Sequence, residues 1–164
     1  MPTIDPRDFG AWVVATGFLG DTAAFALADG TVRLVDGETD RTVAAHDGGL
    51  LAARLGADRT SLLTSGDDGR VVRLRPDGSL ETLFEKKGKW LDQLAEGPQG
   101  AIAAAAGRTA WVRLADGTVK EFPHEKAVGG VAFLPKGLRL ATATTDKAIL
   151  HWVTAAGAPV DMPW

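Results

Sequence analysis

A unit of about 40 residues recurs four times along this 164-residue chain, and the repetition constrains the fold more than any other feature. Arg-Leu pairs begin at residues 33, 73 and 113, and a His-Trp pair takes the corresponding place at residue 151. A second series opens a mainly apolar stretch in each unit and consists of Trp12, Leu50, Trp90 and Val128. Two series of different residue types with nearly the same spacing indicate four tandem repeats.

Each repeat is predicted to contain four short β-strands. In the second repeat, residues 50–55, 61–65, 70–74 and 80–84 are rich in apolar side chains, and turns containing Gly, Asp or Pro separate them. Strands of about five residues with turns every 8–12 residues are typical of an all-β fold. The other predicted strands are 12–18, 22–27, 31–35 and 41–45, then 90–95, 101–105, 109–114 and 118–122, then 128–133, 138–142, 148–153 and 159–162.

Composition and charge restrict the classes of partner. A formal charge of −3 gives no electrostatic reason to expect nucleic acid or an anionic membrane as a partner. The absence of cysteine excludes disulfides and thiolate metal sites and is typical of a reducing compartment. No signal peptide is evident at residues 1–6, and no apolar run approaches the ~20 residues that span a bilayer. We therefore expect a cytoplasmic protein that binds neither nucleic acid nor membrane.

Three of the repeats end in one type of turn and strand. Residues 29–35 read Asp-Gly-Thr-Val-Arg-Leu-Val, and residues 68–74 and 146–152 follow a related pattern. Together the repeats resemble the WD-repeat β-propeller family, of the bacterial type, whose units end in Asp-Gly-Thr-Val-Arg-Leu-Trp-Asp. His46 and His124, 78 residues apart, match the His near the start of that unit. The third repeat departs from the pattern, because Gly107-Arg108 replaces its Asp-Gly turn.

The resemblance implies an all-β propeller of four-stranded antiparallel blades. Repeats at about 12–47, 48–88, 89–126 and 127–164 would form one domain or half-domain over residues 1–164, with residues 1–11 as a possible closing strand. Four such narrow blades seldom close a ring, so we expect a partial ring that is half of an eight-bladed or seven-bladed assembly. A second copy or a missing C-terminal half would complete it, because the faces of the terminal blades would otherwise stay exposed and apolar.

In the family, a His, a Ser or Thr, an Asp and a Trp form a hydrogen-bonded tetrad that stiffens the blade. By resemblance, the candidates are His46, Ser65 and Asp68 in the second repeat, and His124, Thr142 or Thr144, Asp146 and Trp152 in the fourth. In the second repeat Leu74 stands where the Trp would be. We interpret these residues as structural. Metal binding by His46 or His124 is the less favoured alternative, since neither has a Cys or a second His nearby.

Partners of the family often bind the edge formed by the loops between blades and by the turns between the second and third strands of each blade. We call this edge the turn rim. Its predicted members, in which acidic and basic residues alternate, are Asp29, Asp47, Asp67, Lys86, Lys87, Lys89, Trp90, Arg108, Glu125, Lys126 and Lys147. A mixture of both signs suits a protein partner better than a polyanion.

No nucleophile elbow, phosphate-binding loop or dinucleotide fingerprint occurs in the sequence. We therefore predict a non-enzymatic scaffold for protein–protein interaction, without cofactor or metal. The alternative is a propeller enzyme, or a protein that binds a small ligand or metal in the central channel. Such a site needs convergent polar groups on the innermost strands, which here are mostly apolar.

Overall fold

A computed structural model describes residues 6–37 and 39–163, which fold into four antiparallel sheets of four strands each. We call these sheets blades 1 to 4. Blade 1 contains β1 (Val13–Leu19), β2 (Thr22–Leu27), β3 (Thr31–Asp36) and β4 (Thr39–Ala44). Blade 2 contains β5 (Leu50–Leu55), β6 (Leu62–Gly66), β7 (Arg70–Leu74) and β8 (Leu80–Glu85). Blade 3 contains β9 (Gln93–Glu96), β10 (Ile102–Ala106), β11 (Thr109–Arg113) and β12 (Val119–Pro123). Blade 4 contains β13 (Gly130–Phe133), β14 (Arg139–Ala143), β15 (Lys147–Trp152) and β16 (Val160–Pro163).

The all-β prediction is confirmed, and each of the sixteen predicted strands is present with bounds that differ by three residues or fewer. In every blade the strands pair in chain order through hairpins. The alanine-rich stretch after Gly100 is the strand β10 rather than a helix, although alanine is the best helix former. Within the described residues, no helix is long and apolar enough to cross a bilayer.

Three apolar clusters hold successive blades together. Leu19, Leu34, Leu50 and Leu74 belong to the cluster between blades 1 and 2. The second cluster, between blades 2 and 3, is built around Leu63, Leu91, Leu94, Ile102 and Trp111. The third, between blades 3 and 4, is built around Ala103, Ala105, Val112, Val128 and Leu140. Among the described residues no fourth cluster joins blade 4 to blade 1, so the ring is open, as predicted.

Because side chains alternate along a strand, each blade has two faces. We call the face toward the previous blade in the chain the preceding face, and the opposite one the following face. In blade 3, Ile102 and Ala104 lie on the preceding face, while Ala103 and Ala105 lie on the following face. Two faces therefore have no neighbouring blade: the preceding face of blade 1 and the following face of blade 4. These are the two free faces.

The Arg-Leu pairs do not mark equivalent positions, which corrects the sequence interpretation. Arg33 pairs with Phe25 on the preceding face of blade 1, whereas Arg73 pairs with Leu63 on the following face of blade 2. A shift of one residue along a strand is enough to reverse the face. The Asp-Gly turns, in which Asp29 and Asp68 are 39 residues apart, give the correct register.

In the series that opens each repeat, Trp12 and Trp90 do not occupy the same structural position as Leu50 and Val128. Leu50, Leu91 and Val128 are 1%, 0% and 4% exposed in the three clusters, and Val13 takes the equivalent place in blade 1. Trp12 and Trp90 are each one residue earlier and lie on the surface, 88% and 70% exposed.

The segment before β1 lies against blade 1. The Phe9 ring is 4.9 Å from that of Phe25, the Arg33 guanidinium is 5.1 Å from the centre of the Phe9 ring, and Arg7 Nη1 is 3.4 Å from Asp40 Oδ2. Residues 6–11 form no strand, and residues 1–5 and 164 lie outside the described part. The closing strand predicted over residues 1–11 therefore stays a prediction.

Candidate functional site

The first polar network joins blade 2 to the chain that enters it and consists of His46, Thr64, Asp68 and Arg70. His46 Nδ1 donates a hydrogen bond of 3.0 Å to Asp68 Oδ1, and His46 Nε2 lies 2.9 Å from Thr64 Oγ1. Because a carboxylate only accepts, Nδ1 carries the proton, and Nε2 of a neutral ring then accepts from the Thr64 hydroxyl. We call this set the Asp68 network.

Asp68 accepts hydrogen bonds from several donors. Besides His46, these are the backbone N–H of Arg70 at 3.0 Å, the Arg70 Nε at 2.8 Å and the backbone N–H of Asp47 at 3.2 Å. Burial raises the pKa of Asp68, but the hydrogen bonds from Arg70 and His46 outweigh burial and lower it to about 2. The ionised carboxylate therefore ties the turn between β6 and β7 to the loop between blades 1 and 2.

Ser65 was predicted to supply the hydroxyl of this network, and that prediction is wrong. Ser65 Oγ donates instead to the carbonyl oxygen of Leu91 at 2.8 Å, toward blade 3. Its neighbour Thr64 lies on the preceding face and meets His46. Adjacent residues of a strand point to opposite faces, so the register decides which of the two can reach the histidine. Sequence reasoning missed Thr64 because the motif does not show that register.

The second network lies between blades 3 and 4 and consists of His124, Thr142 and His151. Thr142 Oγ1 is 2.8 Å from His124 Nε2 and 3.0 Å from His151 Nε2, and the two Nε2 atoms are 3.3 Å apart. The rings meet edge to face at 76°. The other ring nitrogen of His124, Nδ1, is buried and has no hydrogen-bond partner among the described residues. We call this set the His151 network.

Asp146, Thr144 and Trp152 do not join this network, which corrects their predicted role. Asp146 Oδ1 accepts from Thr144 Oγ1 at 2.8 Å, and Asp146 Oδ2 lies 3.1 Å from Lys126 Nζ. Trp152 points to the following face of blade 4, where the Arg139 guanidinium lies 3.7 Å from its ring centre. His151, the residue before Trp152, lies on the preceding face and joins the network in its place.

The length of one hairpin explains the difference. Ser65 pairs with Val71 in blade 2, which leaves five residues (66–70) between the paired positions. Ala143 pairs with Ala148 in blade 4, which leaves four (144–147). One residue fewer moves every later side chain of β15 to the other face, so Trp152 turns outward and His151 inward.

Both histidines of the second network are held in the neutral form. Burial lowers the pKa of His124. Burial and the neighbouring His124 lower the pKa of His151 to about 4, although Asp161 acts in the opposite direction. Two neutral rings suit a shared hydroxyl, because one ring nitrogen donates to the oxygen and the other accepts its proton.

Blade 3 has neither network. Ala104 stands at the place of Thr64, and Lys86 lies 5.4 Å from the ring centre of Trp111. Trp111 Nε1 donates to Glu121 at 2.8 Å. In the sequence, this difference is indicated by Gly107-Arg108, which replaces the Asp-Gly turn of the family pattern. Across the described residues, no three His, Asp or Glu side chains form a set that could hold a metal ion.

The turn rim lies along one edge of the arc, where the β2–β3, β6–β7 and β10–β11 turns are each hydrogen-bonded to the loop that enters the next blade. The backbone N–H groups of His46, Lys86 and His124 donate to the carbonyls of Gly30, Gly69 and Arg108 at 3.0, 2.8 and 2.8 Å. The predicted alternation of charge is wrong. The acidic residues Asp29, Asp47 and Asp67 lie at blades 1 and 2, and the basic ones, accompanied by Glu125, follow from the loop before blade 3: Lys86, Lys87, Lys89, Arg108, Lys126 and Lys147.

Comparison with known families gives a direct match to part of the chain. Residues 116–152 match the model of the WD domain, G-beta repeat. This segment is similar to a WD40 repeat. The matched segment includes the whole His151 network, from His124 to His151, and the polar centre of this segment departs from the predicted tetrad. No curated protein matches the sequence of the chain.

Solved structures extend the comparison to nearly the whole chain at the level of the fold. A chain in the crystal structure of the mitotic checkpoint complex is similar with a TM-score of 0.74 and 16% identity, over 93% of this chain and 52% of that one. The computationally designed Ika4 protein is similar with a TM-score of 0.75 and 16% identity, over 93% of this chain and 99% of Ika4. This chain thus spans about half the length of the first and nearly all of the second. Together with the four blades, these similarities show the fold of an open β-propeller.

Proposed function

We propose that this chain is a non-enzymatic scaffold that binds a protein partner through the turn rim, in a ring completed by another half. The observation that carries the proposal is the construction of the rim. In blades 1 to 3 the turn is hydrogen-bonded to the adjacent loop, so this part of the rim is a preorganised surface rather than a set of independent loops. Preorganised contact residues lose little conformational entropy on binding.

The charge distribution of the rim supports a protein as the partner. An acidic segment at blades 1 and 2 lies beside a basic segment that starts at Lys86. A polyanion such as nucleic acid would be repelled by the first segment, whereas a protein surface with the opposite arrangement would be attracted by both. Trp90, which is 70% exposed beside Lys87 and Lys89, adds an aromatic side chain of the kind enriched at binding hot spots.

The open ring supports the second part of the proposal. Both free faces carry apolar side chains without a neighbouring blade, and a second copy or a further half of a propeller would cover them. Ring completion is separate from rim binding, since the rim runs along an edge of the arc and the free faces lie at its ends.

A charge reversal on the rim tests the binding function. The immobilised chain is compared with the variant Lys87→Glu/Lys89→Glu for the proteins it retains from a cell extract, quantified by mass spectrometry. We expect a defined set of proteins to be lost from the variant by tenfold or more, because charge reversal replaces attraction with repulsion.

The control carries the same change of charge away from the rim. Arg59 and Lys136 lie on turns between first and second strands, at the opposite edge of the arc, and are exposed. The variant Arg59→Glu/Lys136→Glu should retain the same proteins as the unmodified chain. Equal retention by the rim variant and this control would contradict a binding role for the rim.

A further inference from the structure

The free face of blade 4 repeats the composition of a buried interface. Ala103, Ala105, Ala110 and Val112 lie on the following face of blade 3 and are fully buried against blade 4. Ala141, Ala143, Ala148 and Leu150 follow at a distance of 38 residues and have the same strand pairing. Small side chains of this kind allow a neighbouring blade to approach closely, yet here nothing in the described residues covers them.

These partly exposed alanines line a shallow groove. Together with Gly130 and Ala132 on β13 they enclose about 240 Å³ with a mainly apolar surface. On the outer strand β16, Val160 pairs with Leu150 and Met162 pairs with Ala148, and these two side chains are 48% and 45% exposed. The face is therefore small at its centre and apolar toward β16, and the stacked Arg139–Trp152 pair lies at one end of it.

The free face of blade 1 has the opposite character. Val13 takes the place of Leu50, Leu91 and Val128, which fill the three internal interfaces, yet it is 45% exposed. Phe18 takes the place of Phe133, which packs in the interface between blades 3 and 4, and is 66% exposed. At the interface between blades 3 and 4, the equivalent bulky side chains, Val128 and Phe133, pack against the alanine-rich following face of blade 3.

The segment before β1 does not block this face. Phe9 packs on Phe25 at the place where His46 meets Thr64 in blade 2, so the segment repeats the entry found at an internal interface. Val13 and Phe18 stay exposed beside it. Docking of a blade onto this face therefore requires no displacement of the segment.

We propose that the free face of blade 4 receives the free face of blade 1 from a second copy of this chain. This inference deepens the ring-completion part of the proposed function. The chain carries both surfaces that such an interface needs. One has small side chains and the other has bulky ones, as at the interface between blades 3 and 4. Pairing of two like faces would set alanine against alanine or phenylalanine against phenylalanine, which leaves gaps in one case and overlap in the other.

The mass in solution tests the inference, measured by light scattering on the full chain up to about 100 μM, where weak association is detectable. We expect an assembly of twice 17.2 kDa. The variants Ala148→Arg on blade 4 and Phe18→Glu on blade 1 should each run as monomers. Two controls should associate as the unmodified chain does: Ala115→Arg on the β11–β12 turn and Val119→Glu on β12, both exposed and away from the free faces. Circular dichroism checks that every variant is folded.

Mixing the two monomeric variants distinguishes unlike from like pairing. Each retains one intact face, so an equimolar mixture should form a pair with a single interface. If only one of the two variants loses association, like faces pair and the inference is overturned. A monomer at every concentration, or association that both variants retain, also overturns it.

Larger species that both variants abolish would support the pairing of the faces and contradict the closed ring of the proposed function. Rim binding is tested independently by the charge-reversal variants, because Lys87 and Lys89 lie on neither free face.

Discussion

The two polar networks place a histidine against a threonine in the same way and differ in what completes the arrangement. In blade 2, His46 lies between Thr64 and the ionised Asp68. In blade 4, His124 shares Thr142 with a second histidine, and Asp146 pairs elsewhere. One residue of hairpin length separates a charged network from a neutral one. The comparison shows that the turn between the second and third strands determines the chemistry of the network, even where the residue types match.

Removal of the two aspartates should give the largest contrast. We expect Asp68→Ala to cost roughly 3–4 kcal/mol of unfolding free energy, since it leaves His46 and Arg70 without their shared acceptor. Asp146→Ala should cost less than about 1 kcal/mol, because its ion pair with Lys126 is largely solvated. Urea denaturation of both variants measures the difference. Equal losses would show that Asp146 supports blade 4 as Asp68 supports blade 2.

The two networks should fail at different pH. Folding holds the pKa of His151 at about 4 against an ordinary 6.5, so its contribution is complete above pH 6.5 and is lost as the pH falls through 4. The contribution of Asp68 is complete above its ordinary pKa of 3.8 and is lost as the pH falls through 2. We expect stability to fall by about 2 kcal/mol between pH 7 and pH 4 through His151.

The variant His151→Leu, which places the blade 2 residue at this position, should reduce that loss and leave the loss below pH 4 unchanged. Urea denaturation of the unmodified chain and of the variant at pH 7, 5.5, 4 and 3 measures both losses. A loss of the same size in the variant would assign the transition to other groups.

The hydroxyl of the Asp68 network can be identified by two adjacent substitutions. Thr64→Val should cost about 1.5 kcal/mol and shift the nitrogen resonance of His46 Nε2, which loses its partner. Ser65→Ala should cost about 1 kcal/mol through its lost bond to the Leu91 carbonyl, and leave the His46 resonance in place. NMR of the side-chain nitrogens decides between them. A shift of the His46 resonance in the Ser65 variant alone would show that Ser65 is the hydroxyl of the network, as the sequence predicted.

Trp152, the predicted tryptophan of the tetrad, provides the last test of the comparison. Trp152→Leu should cost about 1 kcal/mol through loss of its contact with Arg139, a cation–π pair at a half-buried site. The ring resonances of His124 and His151 should stay unchanged, because Trp152 lies on the other face. A loss of several kcal/mol with altered histidine resonances would place Trp152 back in the network.

Strands and blades were predictable because alternation and turn residues are local signals. The register inside a hairpin was not, as Trp152 and Ser65 show, since one residue more or less changes no composition. One signal was available. Gly30 and Gly69 adopt positive φ of 89° and 78°, and a side chain there would clash with the carbonyl oxygens of Gly48 and Lys86. The turn at Asp146-Lys147 has no glycine, which indicates another hairpin.

The unlike free faces mean that neither end blade is a cap. In repeat proteins, stability is approximately a sum of unit terms and couplings between nearest neighbours, and capping units with polar outer faces terminate the array. The described residues form four units with three couplings between them, and the units at both ends are of the interior type. Opening should begin at blades 1 and 4, each of which has one coupling, and proceed inward. Closure with a second copy would give every unit two couplings, and the unfolding midpoint would then rise with protein concentration.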